Sequence, residues 1–449
     1  MSEPTDADRY PTLTETGRAM LIRMTEHPAA PVYRNRSGNR LLREDLDGLA
    51  AFEKAMLAAP IGWRPGTPPD WILPFLAETY AQVPHFRTRG AAPRRLADVP
   101  TTSRGDLARD IASFVPDSVS VDRLINFRTT GTTGHPLLIA SHPVVAARYL
   151  TFHKRALARF GITLRAGAGD VGVVLLGHQR RCFTYVSVTP MMDEAGLAKI
   201  NLHPDDWRDP ADRAPYLDAM APEIVAGDPI SFATLLDLPV TMRPRAILSV
   251  AMMLTGGMRN RLEERFGCPV LDLYSMNEVG PIAVTDNGTG DRVLLQPNLY
   301  VEIVDDAGRA LPAGERGDVC VTGGFNFCLP LVRYRTGDTA MLGMADGEPV
   351  LRDFSGRRAI RFRTASGAWV NNIDVSHALT ALSAAQFALH QHATGALVLA
   401  LSPDAIADAP LAKAALARLV GDMPISVVTI TSDDKVLQYT SDFPGSMTG

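Results

Sequence analysis

The loop of residues 129–136 restricts what this chain can fold into more than any other part of its sequence. It reads Thr-Thr-Gly-Thr-Thr-Gly-His-Pro and directly follows the apolar run Leu-Ile-Asn-Phe of residues 124–127. A strand must therefore end in a tight turn with two glycines and four hydroxyl groups. Such a turn suits the oxygens of a polyphosphate, because small side chains permit close backbone approach. The spacing differs from the common nucleotide loop, which keeps four residues between its glycines. On its own, the loop is more often an ordinary polar turn.

Two later segments share a design, an apolar run that ends in a polar turn with a carboxylate. Residues 271–280 read Leu-Asp-Leu-Tyr-Ser-Met-Asn-Glu-Val-Gly and place Tyr274 close to Glu278. Residues 331–338 read Leu-Val-Arg-Tyr-Arg-Thr-Gly-Asp and end on Asp338. A phosphate loop, an aromatic side chain for adenine, a carboxylate for Mg²⁺ and a second one for ribose hydroxyls would together form an ATP site.

In this order and at these separations, the three segments resemble the motifs of the adenylate-forming superfamily, in particular its phenylacetate–CoA ligase-like branch. The family motifs read Ser/Thr-Ser/Thr-Gly-Thr-Thr-Gly-Lys-Pro, Tyr-Gly-x-Thr/Ser-Glu and Tyr-Arg-Thr-Gly-Asp. Residues 75–86 are also similar to the family's early helix, which closes on Asn-Val-Pro-Phe-Tyr, and residues 99–107 to its Pro-x-Thr-x-Lys-x-Asp-Leu turn. The resemblance leaves the first seventy residues unexplained.

The resemblance implies an α/β fold, with a large N-terminal adenylate-forming domain and a small mobile C-terminal α+β domain. We predict an N-terminal cap over residues 1–70, the ATP- and acid-binding domain over 71–353, and the small domain over 354–449. Short apolar runs alternate with helical patterns between residues 120 and 300, which is typical of α/β layers.

Hydrophobic patterns predict several individual elements. Buried strands are expected at residues 171–176 and 247–254, although the second run could also be a helix, and residues 300–304 and 317–321 should form a hairpin. A linker is predicted at residues 354–357. A helix over 375–382, a strand over 397–401, a helix over 413–419 and a strand over 425–430 should follow.

The family roles carry over to matching positions as implications of the resemblance. Lys435, Glu278 and His135 would be catalytic, with Lys435 stabilising the pentavalent α-phosphate. Glu278 and Thr133 would bind Mg²⁺. The nucleotide would contact Thr129, Thr130, Gly131, Thr132, Thr133, Gly134, Gly256, Gly257, Tyr274, Ser275, Met276, Asp338 and Arg357. The acid pocket would use Phe183, Tyr185, Met276, Gly280, Phe325 and Phe327, which suits an aromatic acid.

These residues also have plainer interpretations. Asp338 could cap a turn, Tyr274 could be core packing and Arg357 could be a solvated surface charge. The motif context favours the functional role for Glu278, Asp338 and Arg357. For Lys435 the two interpretations are balanced, because Asp433 and Asp434 replace the usual glycines before it.

Three departures from the family pattern bear on the reaction. His135 replaces the lysine of the phosphate loop, so a fixed positive charge is lost unless the site protonates the imidazole. Arg358-Ala359 replaces the Asp or Lys hinge. Residues 366–372 read Ser-Gly-Ala-Trp-Val-Asn-Asn where the family has Arg-Gly-x-x-Val-x-Pro, a turn that helps to form the pantetheine tunnel.

The sequence therefore predicts an ATP-dependent ligase that activates a carboxylic acid as an acyl adenylate, releasing pyrophosphate and later AMP. CoA is the expected acceptor, as in aryl- and acyl-CoA ligases. One alternative passes the acyl group to a carrier-protein thiol or an amine. Another, from a different class, is a nucleotide-binding protein that has lost catalysis.

Composition excludes several other classes of protein. Net charge is −4 and no block of basic residues occurs, which argues against a nucleic-acid partner. The longest uncharged apolar run, residues 246–258, is too short to span a membrane, and the polar N-terminal residues do not resemble a signal peptide. We therefore expect a cytoplasmic protein.

Metal content and assembly are further expectations. The four cysteines are scattered, and residues 283–297 contain neither Cys nor His, unlike the zinc-binding relatives; no zinc is expected. Because relatives are often dimers, a homodimer is compatible with the resemblance.

Overall fold

The computed structural model describes residues 5–128, 137–179, 182–356, 360–432 and 436–446. The chain forms two compact units, and neither is one continuous stretch. The first comprises Met1–Ala50, Leu157–Asp272 and Ile360–Thr448, and the second is formed mainly by Ala51–Ala156 and Leu273–Ala359. The boundaries of these units differ from those of the predicted domains, 1–70, 71–353 and 354–449. The predicted domains stay a prediction.

In the first unit, a mostly parallel sheet is packed with helices. Its strand order is Tyr185–Thr189, Ala195–Asn201, Val171–Gly177, Ile224–Gly227, Ala246–Ser249 and the first three residues of Val270–Met276. The Tyr185–Thr189 strand alone in this set is antiparallel to its neighbour. The helices of this part are Asp6–Arg9, Glu15–Glu26, Arg43–Ala58 (its second half in the second unit), Arg213–Met220, Pro229–Asp237 and Gly256–Phe266.

The run of residues 171–176 is confirmed as a buried strand, because it lies in the middle of this parallel sheet and meets apolar residues on both faces. The prediction of a strand over residues 247–254 is right for its first three residues only. The strand ends at Ser249, Ala251 takes a positive φ of 68°, and Thr255 caps the next helix by accepting a hydrogen bond from the Met258 N–H.

The second unit is built on antiparallel strands. Their order is Leu299–Val304, Arg316–Gly323, Leu331–Ala345, Glu348–Ser355, Arg292–Leu294, Gly280–Thr285 and the last four residues of Val270–Met276. The predicted hairpin is confirmed, since Val301 pairs with Val321 in antiparallel register. The short strand Thr102–Ser103 joins Leu331–Ala345 in parallel, and Ile125–Arg128 pairs with Leu138–Ser141. The helices are Ile72–Gln82, Pro84–Arg87, Arg104–Arg109 and Pro143–Ala158 (its last two residues in the first unit).

Residues 360–432 and 436–446, within the first unit, have a hydrophobic core of their own and form the small C-terminal α+β part of the fold. A sheet of strand order Ile425–Thr429, Leu397–Leu401, Phe387–Gln391 and Tyr439–Ser441 packs with the helices Asn372–Ala378 and Ala409–Val420. Arg361–Arg363 pairs with Trp369–Asn371. The predicted strands at 397–401 and 425–430 and the helix at 413–419 are confirmed. The predicted helix at 375–382 instead covers Asn372–Ala378.

Two further details complete the secondary structure. Phe354 and Ser355, predicted as linker, are the last residues of the strand Glu348–Ser355. Short 3-10 helices lie at Leu96–Asp98, Ile111–Phe114, Val121–Arg123, Pro190–Met192, Pro204–Asp206, Pro210–Asp212 and Pro403–Asp408. Across the described ranges, every helix is too short or too polar to cross a lipid bilayer.

Candidate functional site

Two of the predicted motifs meet directly in the second unit through Tyr274 and Asp338. The Tyr274 hydroxyl donates a hydrogen bond of 2.6 Å to Asp338 Oδ2. Burial, followed by the neighbouring Asp338 carboxylate, raises the pKa of Tyr274 well above its usual value. Thr336 Oγ1 accepts a hydrogen bond from the Asp338 N–H at 3.1 Å and so holds the carboxylate-bearing backbone in place. Tyr274 is therefore neutral, and its hydroxyl group holds the Asp338 carboxylate in position by donating this hydrogen bond.

Glu278 lies in the turn between the strands Val270–Met276 and Gly280–Thr285, and its side chain is 3% exposed. Arg104 Nη1 donates to Glu278 Oε1 at 2.9 Å, and the Tyr334 hydroxyl donates to the same oxygen at 3.4 Å. Burial, followed by the Glu278 carboxylate, raises the pKa of Tyr334 well above its usual value. A buried carboxylate is stable only when it is paired and hydrogen-bonded, and this one is both.

The position of Arg104 follows from local structure. Thr102 and Ser103 pair with Tyr334 and Arg335 in parallel register, which brings the next residue close to the Glu278 turn. Ser103 then caps the helix Arg104–Arg109 in a capping box with Asp106. Arg104 thus stands at the first position of a helix that is fixed at both its cap and its preceding strand.

Gly280 closes the Glu278 turn and is required there for two reasons. Its φ is 81°, which disfavours any residue with a Cβ atom. A Cβ atom would also lie 2.4 Å from the ring of Phe325. Phe325 in turn packs edge-to-face on Tyr149, whose hydroxyl donates to the Asn277 carbonyl at 3.1 Å. The turn is therefore held by aromatic contacts as well as by the Arg104 ion pair.

The remaining residues of the predicted nucleotide site in this part of the chain lie beside Tyr274. Ser275 pairs with Pro281 across the two strands. Met276 Sδ lies 3.8 Å from the Tyr274 hydroxyl. The ring of Phe354 packs on that of Tyr274 at 4.3 Å between centroids, and the Arg292 guanidinium lies over Phe354 at 4.6 Å. These contacts form one layer around the Tyr274 ring.

Several predicted residues lie outside the described ranges: Thr129, Thr130, Gly131, Thr132, Thr133, Gly134, His135, Arg357 and Lys435. Their roles stay predictions. The strands on either side of the phosphate loop are described, and Arg128 pairs with Leu138 in an antiparallel hairpin. The two strands that flank residues 129–136 are therefore neighbours.

Gly256 and Gly257 begin the helix Gly256–Phe266 in the first unit and make a close packing contact there. The Gly257 N–H donates to the Thr380 carbonyl at 3.4 Å, and a Cβ atom on Gly257 would lie 2.5 Å from the Leu382 carbonyl oxygen. Glycine is thus required by the neighbouring segment 380–382. This packing role stands beside the predicted contact with adenine, which stays a prediction.

The six predicted residues of the acid pocket are divided between the two units. Phe183 and Tyr185 pack edge-to-face in the first unit, with centroids 5.6 Å apart, and burial raises the pKa of Tyr185 to about 12. Met276, Gly280, Phe325 and Phe327 belong to the second unit. In that unit Phe325 and Phe327 border a cavity of about 420 Å³, which we call the Arg148 cavity.

The Arg148 cavity combines aromatic walls with a guanidinium group. Arg148 lies over the Phe52 ring at 4.3 Å and the Phe327 ring at 5.4 Å, and its Nη1 donates to the Phe325 carbonyl at 3.1 Å. Its Nε atom is buried and makes no hydrogen bond within the described residues. Burial lowers the pKa of this guanidinium. Other residues that line the cavity are Phe75, Glu78, Gln82, Arg123 and His142.

Two features of the site were not predicted. Arg104 occupies the lysine position of the Pro-x-Thr-x-Lys-x-Asp-Leu pattern, which could have marked it as a partner of an acidic motif residue. Arg148 has no sequence signal, because the groups that contact it, Phe52 and residues 325–327, lie far from it in the chain.

Comparison with known proteins supports the motifs. Residues 128–327 match the family of AMP-binding enzymes. The chain is 26% identical over 295 residues to phenylacetate–coenzyme A ligase of Aromatoleum evansii, covering 59% of this chain and 63% of that protein. It is 26% identical over 305 residues to the enzyme of that name from Pseudomonas putida, covering 62% and 66%. The matched region thus spans less than two thirds of these relatives' length.

The fold agrees as well. The crystal structure of 2-hydroxyisobutyryl-CoA ligase in its postadenylation state, bound to R3-HIB-AMP, superposes with a TM-score of 0.62 at 16% identity, covering 88% of this chain and 90% of that one. The predicted α/β fold with a small C-terminal domain is confirmed. The chain is therefore similar to the adenylate-forming superfamily, and to its phenylacetate–CoA ligase-like branch in particular, through the AMP-binding match of residues 128–327 and these relatives.

Proposed function

We propose that this protein is an ATP-dependent acid ligase that activates an aromatic carboxylic acid as its acyl adenylate and transfers the acyl group to CoA. The observation that carries the proposal is the direct 2.6 Å hydrogen bond between Tyr274 of the second motif and Asp338 of the third. Side chains predicted separately to contact adenine and ribose are neighbours, 64 residues apart in sequence.

The chemistry requires activation because a carboxylate is a poor electrophile. In the proposed reaction a carboxylate oxygen attacks the α-phosphorus of ATP, a bond forms between them, and pyrophosphate leaves with the electron pair of the broken P–O bond. The thiol of CoA then attacks the acyl carbon and displaces AMP. Positioning and charge neutralisation dominate the first step.

The residues divide this work by their chemistry. Asp338, oriented by Tyr274, would accept hydrogen bonds from the ribose hydroxyls. The phosphate loop, residues 129–134, would donate backbone and hydroxyl hydrogen bonds to the β- and γ-phosphates, with His135 at its end. Lys435 would neutralise charge on the α-phosphate in the transition state, and Arg357 would contact the ribose or a phosphate.

Glu278 fits the Mg²⁺ that such a reaction requires. Its carboxylate oxygens are the hard ligands that Mg²⁺ prefers, and the Arg104 and Tyr334 hydrogen bonds both go to Oε1. A hydroxyl of Thr133 would be a second ligand. The ion, held by these residues, would supply charge neutralisation on the phosphate oxygens. Arg104 compensates the buried carboxylate and fixes its orientation.

An aromatic acid is the proposed substrate class because the residues assigned to its pocket are largely aromatic. In the second unit, Phe325 and Phe327 border a cavity of about 420 Å³, which is within the usual size of small-molecule sites. A cytoplasmic location and a homodimeric state stay predictions.

A carrier-protein thiol or an amine is the second candidate acceptor. It is favoured by residues 366–372, which depart from the family turn. Trp369–Asn371 forms a strand with Arg361–Arg363, and the Arg361 and Arg363 guanidinium groups lie over the Trp369 ring at 5.1 and 4.9 Å. A bulky Trp–Arg cluster therefore stands in this stretch.

Pyrophosphate release from ATP and Mg²⁺ tests the proposal. It is measured against a panel of aromatic and aliphatic acids, with CoA, a carrier protein or an amine added in parallel. Release that depends on one aromatic acid and is stimulated by CoA is expected. Stimulation by a carrier protein or amine alone would replace the acceptor. ATP binding with no acid-dependent release across the panel would favour the nucleotide-binding protein that has lost catalysis.

A further inference from the structure

His390 and His392 lie two residues apart at the end of the strand Phe387–Gln391 in the C-terminal part of the first unit. Successive side chains of a strand point to opposite faces, so residues two apart share a face. Leu389 and Gln391 are fully buried on one face, whereas the His390 and His392 side chains are 29% and 49% exposed on the other. Their rings are in contact, with centroids 4.6 Å apart.

Asp442 joins the two imidazoles from the neighbouring strand. Tyr439–Ser441 runs parallel to Phe387–Gln391, and the Asp442 N–H donates to the Gln391 carbonyl at 2.8 Å. Asp442 Oδ2 lies 3.2 Å from His390 Nε2 and 4.0 Å from His392 Nδ1. The ligand atoms of these three residues, the His390 cluster, all lie within 4.8 Å of one another.

The distances between these ligand atoms are close to the distances between the ligands of a bound transition metal. Ligands at zinc–nitrogen distances of about 2.0–2.1 Å in a tetrahedral site are roughly 3.4 Å apart. His390 also has the outer partner that metal-binding histidines usually have, since its Nδ1 lies 2.8 Å from Thr440 Oγ1. That contact orients the ring so that Nε2 faces Asp442.

We propose that the His390 cluster is a binding site for a divalent transition metal of the zinc class. Two imidazole nitrogens and one carboxylate oxygen select Zn²⁺, Ni²⁺ or Cu²⁺ over Mg²⁺ and Ca²⁺, which prefer oxygen ligands. A fourth position stays open to water. The site is separate from residues 283–297, on which the expectation of no zinc rested.

A metal at this site links two segments that are distant in sequence. It ties residue 442 to residues 390 and 392, and thereby the strand Tyr439–Ser441 to the middle of the small sheet. Backbone pairing there extends over three residues, Leu389, His390 and Gln391. The metal therefore acts as a structural clip on the chain that follows Lys435.

Calorimetric titration of the tag-free full chain with ZnCl₂ tests the proposal. All variants carry Cys182→Ser, because Cys182 is the cysteine of this chain that is not buried and could bind zinc. One equivalent is expected to bind, with an excess of Mg²⁺ having no effect. His392→Gln and Asp442→Asn should each weaken binding by roughly tenfold or more, and Thr440→Val, which removes the outer partner, by about tenfold. His377→Gln, an exposed histidine of the same region, should leave it unchanged.

Co²⁺ supplies a readout of coordination rather than of affinity alone. The wild-type spectrum should show the intense visible bands of a site with nitrogen ligands and low symmetry, and His392→Gln should lose them. Equal zinc affinity of the wild type, His392→Gln and Asp442→Asn, or a Co²⁺ spectrum of the hydrated ion, would overturn the proposal. Several weak equivalents would mean an adventitious ion only and would overturn it as well.

Discussion

Arg104 Nη1 lies 2.9 Å from Glu278 Oε1, and this ion pair joins an early helix to the second motif of the nucleotide site. The Glu278 side chain is 3% exposed and the Arg104 side chain 31% exposed, so the pair is shielded on the Glu278 side. In the family pattern this position is lysine. A planar guanidinium can hold a carboxylate orientation that a point-like ammonium does not hold as rigidly.

Removing the partner of this carboxylate should therefore be costly. We expect Arg104→Ala to lower the free energy of unfolding by about 3 kcal/mol, because it leaves a buried charge uncompensated. Urea unfolding measures this loss. Arg109→Ala, on the same helix, is the control: its side chain is 75% exposed and pairs with Asp106, so a change within about 0.5 kcal/mol is expected. Equal effects of the two substitutions would contradict the importance of the Glu278 contact.

The two motif carboxylates should be indispensable for adenylate formation. Glu278→Gln keeps the shape and the Arg104 hydrogen bond but removes the charge for Mg²⁺, and Asp338→Ala removes the acceptor for ribose. We expect both to abolish acid-dependent exchange of pyrophosphate into ATP, with unchanged circular dichroism. Asp305→Ala, at an exposed ion pair with Arg309 in the second unit, serves as the control and should retain exchange. Near-normal exchange in Glu278→Gln would show that its charge is not used.

Stability should fall in alkaline solution through the buried tyrosines. The pKa of Tyr274 is raised in the folded state above its unfolded value of 10.0, so its contribution is fully present below about pH 10 and is lost as pH rises through the folded pKa. Urea unfolding at about pH 8 and about pH 10.5 measures the loss. Tyr274→Phe should make the decline shallower, while costing about 1 kcal/mol at neutral pH through the lost hydrogen bond. An identical slope in both proteins would refute this assignment.

Gly280 offers a test of the aromatic support beneath the Glu278 turn. Gly280→Ala adds both the strain of a positive φ, about 1 kcal/mol, and a clash with the Phe325 ring, about 1–3 kcal/mol more. Gly290→Ala is a matched control, because Gly290 has a similar φ of 78° and open space around it. In thermal unfolding, the Tm of Gly280→Ala should be well below the Tm of Gly290→Ala. The KM for the acid should rise in Gly280→Ala only. Equal losses of thermal stability in the two variants would exclude a role for Phe325.

Lys435→Ala should separate binding from chemistry. Because the proposed contact exists only in the transition state, adenylation should fall on the order of 100-fold or more while the Kd for ATP hardly changes. Single-turnover adenylate formation and equilibrium ATP binding measure the two quantities. Lys413→Ala, an exposed lysine of the helix Ala409–Val420, should behave as the wild type. Near-normal adenylation in Lys435→Ala would mean that another residue neutralises the α-phosphate.

Local sequence determined several strands and turns of this protein. Short apolar runs predicted the strands Val171–Gly177 and Leu397–Leu401. Such a run, whether continuous or alternating with polar residues, is typical of a buried or half-buried strand. Residue types likewise predicted the polar turn that follows Tyr274 and carries Glu278. They also predicted the order of the motif residues Tyr274, Glu278 and Asp338. The resemblance to the family and the α/β fold could both be predicted from these residues.

Long-range pairing was decided by tertiary structure. Within the run 247–254 the strand ends at Ser249, and the next helix begins after its cap at Thr255. Glycine is required at position 257 because the backbone of residues 381–382 lies close to it. Arg104 meets Glu278 only because residues 102–103 pair with residues 334–335, and His390 meets Asp442 only because two strands far apart in the chain are neighbours in one sheet. Sequence specifies what each residue can do within a few positions, whereas burial and strand pairing, which sum over the whole chain, determine which residues meet.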